Sequence, residues 1–105
     1  MNLLLDENLP ERLINDLPGH YVISVRQRGW QIKTNGELIR LMILEKIDAL
    51  ITFDQNLPYQ QNLKKNQLIV LVLLAHDNTY AVILMLAPYI LEKLANPGAY
   101  FIEKN

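Results

Sequence analysis

Short apolar runs alternate with helical apolar stripes along this chain. The runs at 2–5, 21–25, 49–53 and 68–74 are bounded by turn residues, which predicts four buried strands, and 99–103 predicts a last strand at an edge. An uninterrupted apolar run is typical of a strand that is covered on both faces, as in a parallel sheet. The pattern therefore predicts an α/β fold with a mainly parallel sheet of about five strands.

Helices are predicted between these strands. Leucines at 9, 13 and 17 form one apolar stripe and predict a helix over 9–17, which Pro18 and Gly19 end. A second helix is predicted from a cap at Asn35 to about Lys46. The segment 26–35 between them is predicted to be a polar loop.

The C-terminal half contains two further helical segments. A short, broken helical turn is predicted at 56–63. A long helix is predicted to follow Asp77, and Pro88 should divide it near 84–87 because proline lacks a backbone donor. Residues 82–89 are apolar nearly all round, so this face is expected to contact a second copy of the chain.

Composition narrows the class of protein. With 105 residues and 50% hydrophobic content, 1–105 is expected to form a single domain. The absence of cysteine excludes disulfides and cysteine-built metal sites, so a bound metal would be held by oxygen ligands. No signal peptide or membrane-spanning run is apparent, and we therefore expect a soluble, cytoplasmic protein without membrane contacts. The net charge of −1 argues against nucleic-acid binding through overall charge.

One motif occurs twice behind a predicted strand. DENLP at 6–10 recurs as DQNLP at 54–58, so Asp6 and Asp54 each follow a buried strand. Ligands of open parallel sheets bind outside the carboxyl ends of the strands, and these aspartates are predicted to share a site there. Helix capping is the alternative, because Asn8 and Glu11 have the spacing of a capping box.

Two more acids lie at predicted helix starts. Glu37 falls in the first turn after Asn35, where an acid can simply compensate the helix dipole. We favour a third carboxylate that faces the two aspartates, because a buried strand follows this helix directly. Asp77 is either a fourth carboxylate or a helix cap.

Three converging carboxylates favour a hard divalent ion, Mg²⁺ or Mn²⁺. Such an ion can activate water and neutralise charge on a phosphate, which suits phosphodiester hydrolysis. Glycoside hydrolysis by paired acids and phosphorylation of an aspartate are weaker alternatives, since neither a sugar groove nor a suitably placed lysine is evident.

A cationic segment follows the second predicted strand. Arg26, Arg28 and Lys33 surround Trp30, the only tryptophan of the chain. These cations are possible contacts for RNA phosphates, and the indole is a possible stacking surface for an unpaired base. The alternative is structural, with Trp30 at the rim of the core and solvated cations around it.

Four sequence motifs together resemble a known family. LLLDENLP at 3–10, HYV at 20–22 followed by Val25, NGEL at 35–38 and ITFDQNL at 51–57 are similar to short bacterial PIN-like domains of uncharacterised function. These domains are related to the VapC-type ribonuclease toxins of toxin-antitoxin pairs. The resemblance covers nearly the whole chain and implies a three-layer α/β/α sandwich, a Mg²⁺ or Mn²⁺ site, RNA cleavage, a homodimer and an antitoxin protein as partner.

By position, the resemblance makes Asp6 and Asp54 catalytic and metal-binding residues, and Glu37 is expected to complete this set. Relatives often have aspartate where this chain has Asn35 and Asn56, so Glu37 would have to replace the missing acid. A catalytically degenerate module that binds RNA or a protein is therefore the alternative function. The supporting positions are Glu7, Asn8, Asn35 and Asn56.

Overall fold

Five parallel segments of backbone form one sheet in the computed structural model, which describes residues 1–55, 68–75, 77–95 and the backbone of 101–103. Four strands have described side chains, against the prediction of about five, and the fifth adds three residues of backbone at one edge. Every pairing is parallel, as the apolar runs predict. The strands are β1 (Asn2–Leu5), β2 (Tyr21–Ser24), β3 (Ala49–Thr52), β4 (Ile69–Leu74) and β5 (Phe101–Glu103).

The strand order, β2-β1-β3-β4-β5, determines where a ligand can bind. The chain leaves β1 for β2 on one side and then crosses to β3 on the other side, so β1 and β3 are hydrogen-bonded neighbours. In open parallel sheets the ligand crevice lies at such a reversal, outside the carboxyl ends of the strands. The residues that follow β1 and β3 therefore occupy the favoured position for a site.

Helices cover both faces of the sheet. The described helices are a 3-10 helix (Glu11–Asp16), α1 (Val25–Arg28), α2 (Asn35–Leu44), α3 (Tyr80–Leu84) and α4 (Ala87–Ala95). Leu3 and Leu5 pack in one buried cluster with the 3-10 helix, α3 and α4, whereas Leu4 and Leu50 pack in another with α1 and α2. Successive strand residues point to opposite faces, so these runs are apolar throughout because both faces are covered.

The helix after β1 is shorter and tighter than predicted. It is a 3-10 helix that begins after Pro10, with no side-chain cap. The predicted capping box of Asn8 and Glu11 does not form, because Pro10 and not Asn8 is the N-cap residue. Glu11 Oε1 accepts a hydrogen bond from Ser24 Oγ at 2.7 Å instead. The apolar stripe was predicted correctly, since Leu9, Leu13 and Leu17 are all buried.

The segment predicted as a polar loop begins with a helical turn, α1. Ser24 Oγ accepts from the Gln27 backbone N–H at 3.0 Å, and Gln27 Oε1 accepts from the Ser24 N–H at 3.0 Å, which completes a capping box. Gly29 ends the turn with a left-handed φ of 71°. Only glycine adopts that conformation without a steric cost, so the short turn has both a start and a stop encoded in sequence.

The remaining helices differ from the prediction mainly at their ends. Thr34, rather than Asn35, caps α2, and the helix ends at Leu44 before Lys46 adopts a positive φ of 58°. The division of the C-terminal helix is confirmed, because α3 ends at Leu84 and α4 begins at Ala87. The predicted turn at 56–63, which includes Asn56, lies outside the described residues.

None of the helices in the described ranges has the length and hydropathy that crossing a bilayer requires.

Candidate functional site

Asp6 and Asp54 emerge at the carboxyl ends of the two neighbouring strands. Asp6 follows β1 directly, and its backbone N–H donates to the Ile51 carbonyl of β3 at 2.9 Å. Asp54 lies two residues beyond the last residue of β3. The predicted neighbourhood of these two strands is confirmed by the pairing of β1 with β3.

The hydroxyl group of Thr52 connects the two aspartates. Thr52 is fully buried, and its Oγ1 donates a short hydrogen bond to Asp6 Oδ2. The same oxygen accepts from the Asp54 backbone N–H at 3.0 Å. A hydroxyl has one proton and two lone pairs, so these two bonds fix its rotation. Thr52 thereby holds the Asp6 carboxylate and the start of the loop that carries Asp54.

Both aspartates line one open cavity of about 360 Å³ at this edge of the sheet. The supporting positions Glu7, Asn8 and Asn35 line the same cavity. The rest of its lining is Val25, Trp30, Gln31, Lys33, Leu38 and Phe53. The prediction that the two strand-end aspartates share a pocket is confirmed.

Asn35 orients the second aspartate. Its Nδ2 donates to Asp54 Oδ2 at 3.1 Å. An ionised carboxylate only accepts hydrogen bonds, so the amide must present its nitrogen to Asp54. Asn35 is the first residue of α2, which means that this helix start points its first polar side chain into the cavity. The neutral amide of Asn35 thus occupies a position where an aspartate would add a negative charge to the cavity.

Glu37 does not join the two aspartates in this cavity. Its Oε1 accepts from the Thr34 N–H at 3.1 Å, and its own N–H donates to Thr34 Oγ1 at 3.2 Å, which forms the capping box of α2. The backbone hydrogen bond from Thr34, followed by the Thr34 hydroxyl, lowers the pKa of the Glu37 carboxyl. The side chain lines a separate cavity of about 170 Å³. The capping alternative describes its position better than the site alternative.

Two of the four predicted RNA contacts line the cavity of the aspartates and two do not. Trp30 and Lys33 line the cavity of the aspartates. Arg28 lies 3.7 Å from Glu45, and its guanidinium is 5.7 Å from the Trp30 ring centroid. Arg26 lines another cavity, of about 450 Å³, whose lining also includes Glu7, Asn8 and Asn78.

Asp77 forms a local turn ahead of α3. Its Oδ1 accepts from the Thr79 N–H at 2.9 Å and from Thr79 Oγ1 at 2.7 Å. It is absent from the lining of the cavity of about 360 Å³. Asp77 does not cap α3 either, because the N-cap residue is Thr79 and no side chain caps the helix; its hydrogen bonds form a turn before the helix instead.

Sequence reasoning missed the part played by Thr52. A threonine at the end of a buried strand is ordinary for strand propensity, so its chemical role is visible only when the neighbouring strand brings Asp6 beside it. The available signal was the Thr-x-Asp spacing at 52–54, which puts a hydroxyl within reach of the aspartate backbone N–H.

The donor set allows a test of whether Mg²⁺ or Mn²⁺ fits. Asp6 Oδ1 accepts from the Glu7 N–H at 2.9 Å and Oδ2 accepts from Thr52, yet each carboxylate oxygen has a second lone-pair direction. Within the described ranges no three His, Cys, Asp or Glu side chains form a group that could hold a metal ion. Mg²⁺ is commonly bound through one or two carboxylates, with water and substrate phosphate as its other ligands. An ion in this cavity would therefore have to be bound in that mode, by Asp6 and Asp54, and not by a three-carboxylate cage.

Fold and site together define an α/β protein with a carboxylate-lined crevice at the point where the strand order of a parallel sheet reverses. Comparison with known proteins adds no relative, since no family model, no curated protein and no solved structure matches the chain.

Proposed function

We propose that this chain is a metal-dependent ribonuclease of PIN-like type, which hydrolyses RNA phosphodiesters with Mg²⁺ or Mn²⁺ held by Asp6 and Asp54. The observation that carries the proposal is that both carboxylates line one cavity at the β1/β3 reversal, where the buried Thr52 hydroxyl donates to the Asp6 carboxylate and accepts from the Asp54 backbone N–H. Two carboxylates at such a crevice suit an oxygen-preferring cation better than any other cofactor class.

Each residue of the cavity has a defined task in this proposal. Asp6 and Asp54 bind the ion, Thr52 positions Asp6, and Asn35 orients Asp54 by its 3.1 Å hydrogen bond. When bound, the ion lowers the pKa of a coordinated water and neutralises charge on the phosphate. No protein nucleophile is then required, which agrees with the absence of cysteine, serine and histidine from the described lining of this cavity.

The cavity also has groups suited to RNA. Its carboxylates repel phosphate, and the net charge of −1 gives no general attraction. Lys33 supplies a cation in the same cavity, and half-buried Trp30 supplies an aromatic surface, for which base stacking contributes roughly 1–3 kcal/mol per base. These two residues are the proposed RNA contacts of the site.

Substitution of the two aspartates tests the proposal. Asp6→Asn and Asp54→Asn should each reduce Mn²⁺-dependent cleavage of single-stranded RNA by at least about 100-fold, because loss of a metal ligand should exceed the 10–100-fold typical of outer-shell partners. Without metal, Asp54→Asn should leave the melting temperature about level, because the amide oxygen can still accept from Asn35. Asp6→Asn should lower it, because one amide oxygen cannot accept both the Glu7 and the Thr52 hydrogen bonds. Glu45→Gln, which removes an exposed acid paired only loosely with Arg28, is the matched control and should cleave like the wild type.

A catalytically degenerate module that binds RNA or a protein is the second candidate. The observation that favours it is the small number of acids: Asn35 contacts Asp54 where a carboxylate would strengthen metal binding, and Glu37 serves the α2 cap. If purified wild-type protein binds RNA but cleaves none with Mg²⁺ or Mn²⁺, this second function replaces the first.

The proposal includes the physiological partners that the resemblance implies. These are a cognate antitoxin protein that holds the ribonuclease inactive in the cytoplasm, and a second copy of the chain. Support for the homodimer comes from Leu84, Met85 and Tyr89 around the junction of α3 and α4, which are 39%, 64% and 41% exposed. Large apolar side chains exposed together are typical of an interface.

A further inference from the structure

A second cavity adjoins the first through a single shared side chain. Lys33 lines both the cavity of the aspartates and the cavity of about 170 Å³ on the neighbouring surface of α2. The second cavity is completed by Glu37, Arg40, Leu41 and Leu44. A ligand that contacts Lys33 from the first cavity is therefore also next to the second.

The charges of this second cavity favour an anion. Lys33 and Arg40 face one carboxylate, that of Glu37, and both cations help to lower its pKa after the Thr34 hydrogen bonds do. Glu37 is already committed to the Thr34 N–H, and among the described residues neither cation forms an ion pair within 4.0 Å. One cation is thus in excess of the carboxylate charge, whereas the first cavity contains more acids than cations.

The apolar part of the cavity favours a flat, partly hydrophobic group. Leu44 is 74% exposed at the end of α2, and Leu41 is half-buried one turn earlier. An exposed leucine beside two cations has no role in the two buried clusters that make up the core. Its side chain is available to contact the face of a nucleobase while the cations contact the adjoining phosphate.

We infer that the cavity formed by Lys33, Arg40, Leu41 and Leu44 is a second nucleotide subsite, which takes the base and phosphate next to the one at Asp6 and Asp54. The inference rests on the proposed RNA function of the first cavity. It makes the ligand a single-stranded oligonucleotide of at least two residues, with Lys33 contacting the phosphate between the two subsites. An acidic peptide could satisfy the same cations, but the contact of Lys33 with both cavities favours RNA.

The test measures how affinity depends on chain length and salt. Binding of uridine monophosphate and of a tetrauridylate is measured at low ionic strength with Ca²⁺ in place of Mn²⁺, using quenching of Trp30, the only tryptophan. The wild type should bind the tetranucleotide more tightly than the mononucleotide. Arg40→Gln should reduce only the tetranucleotide affinity and lower the salt slope of log K by about 0.7, the value for one phosphate contact on a single strand.

Two further variants separate the apolar from the charged contribution. Leu44→Ser should reduce tetranucleotide affinity without changing the salt slope, because it removes contact area and no charge. Lys46→Gln removes an exposed cation just before β3, at the opposite end of the sheet from the aspartates, and is the matched control for Arg40→Gln. Melting temperatures of all variants establish that the fold is retained.

The inference is overturned if the wild type shows no length dependence, or if Arg40→Gln and Leu44→Ser bind the tetranucleotide like the wild type. Competition by an acidic peptide but not by RNA would also overturn it, in favour of a protein partner. A wild type that shows the expected length dependence yet cleaves no RNA with Mn²⁺ leaves the subsite intact and removes only the proposed hydrolysis.

Discussion

The hydroxyl group of Thr52 decides how the two aspartates are held. It donates to Asp6 and accepts from the Asp54 N–H while fully buried. Thr52→Val keeps the side-chain shape but leaves these groups without their partner, so it should cost roughly 1–3 kcal/mol of stability. Mn²⁺ affinity should fall by about 10–100-fold, as for other outer-shell partners. Calorimetric titration with Mn²⁺ and thermal unfolding measure the two effects.

Thr52→Ser is the matched control, because it removes a methyl group and keeps the hydroxyl. It should retain most of the Mn²⁺ affinity while losing a little stability from the lost methyl contacts. If the serine and valine variants lose affinity equally, packing rather than hydrogen bonding positions Asp6, and the hydroxyl does not hold the carboxylate for the ion.

Asn35 limits the charge of the site. Asn35→Asp would place a further carboxylate beside Asp54, where the amide now donates at 3.1 Å. Without metal the two like charges should repel and lower the melting temperature. With Mn²⁺ the added charge should raise affinity roughly tenfold, or about 1.4 kcal/mol, and restore the melting temperature. A variant that is destabilised and gains no Mn²⁺ affinity would show that the ion, if any, binds away from Asp54.

For single residues, the sequence predicts the positions of the two site aspartates but not the position of Glu37. Asp6 and Asp54 follow uninterrupted apolar runs, and in a parallel sheet this pattern leaves few other places for them. Glu37 has the same sequence signature whether it caps a helix or faces a ligand, because both require an acid in the first turn. Only the distances to Thr34 separate the two alternatives.

The capping box at the start of α2 predicts how the stability of the protein depends on pH. Since folding lowers the pKa of Glu37, its ionised form stabilises the protein above the ordinary pKa of 4.5. That contribution is lost as the pH falls below 4.5 and through the folded-state pKa. Glu37→Gln keeps an acceptor for the Thr34 N–H but does not titrate. The stability advantage of the wild type over this variant should therefore shrink between neutral pH and about pH 3, measured by urea unfolding.

Thr34→Ala is the companion variant, because it removes the cap itself and should cost about 1 kcal/mol at neutral pH. The cost should be smaller at about pH 3, because the Thr34 hydroxyl also helps to lower the pKa of Glu37. Mn²⁺-dependent cleavage should persist in Glu37→Gln, since the carboxylate lies outside the cavity of the aspartates. If Glu37→Gln loses cleavage, and its difference in stability from the wild type does not change with pH, then Glu37 belongs to the catalytic site and not to the cap.

Short helices show where pattern reasoning fails. α1 has four residues, too few to produce an apolar period, and its start depends on the Ser24 and Gln27 capping box. That box was available in the sequence, as was Gly29, but both lay in a segment rich in arginine that resembles a loop. The break after Leu84 was predictable because proline acts locally, through the missing donor of one residue.

At the scale of the whole fold, the site depends on which strands are neighbours, and not only on which segments form strands. The sequence predicts that β1, β3 and β4 are buried, but the order β2-β1-β3-β4-β5 comes from how the crossings place helices on both faces. That order brings Ile51 and Thr52 beside the end of β1, and so creates the contact between Thr52 and Asp6. A contact between residues that are distant in sequence has no local signal.

The junction of α3 and α4 gives the last prediction, which concerns assembly. Met85 is 64% exposed beside Leu84 and Tyr89, on the side of the molecule that the sequence predicts to face a second copy. In a symmetric dimer each substitution acts twice, and burial of one methionine contributes at least ~1.5 kcal/mol, so Met85→Glu should weaken dimerisation by roughly 100-fold or more. Light scattering after gel filtration should show a dimer for the wild type and a monomer for the variant, and only the wild-type melting temperature should rise with protein concentration. Leu44→Glu, which changes an even more exposed apolar residue on α2, is the control and should leave the dimer unchanged. A monomeric wild type, or a dimer that Leu44→Glu disrupts and Met85→Glu does not, would move the interface away from this junction.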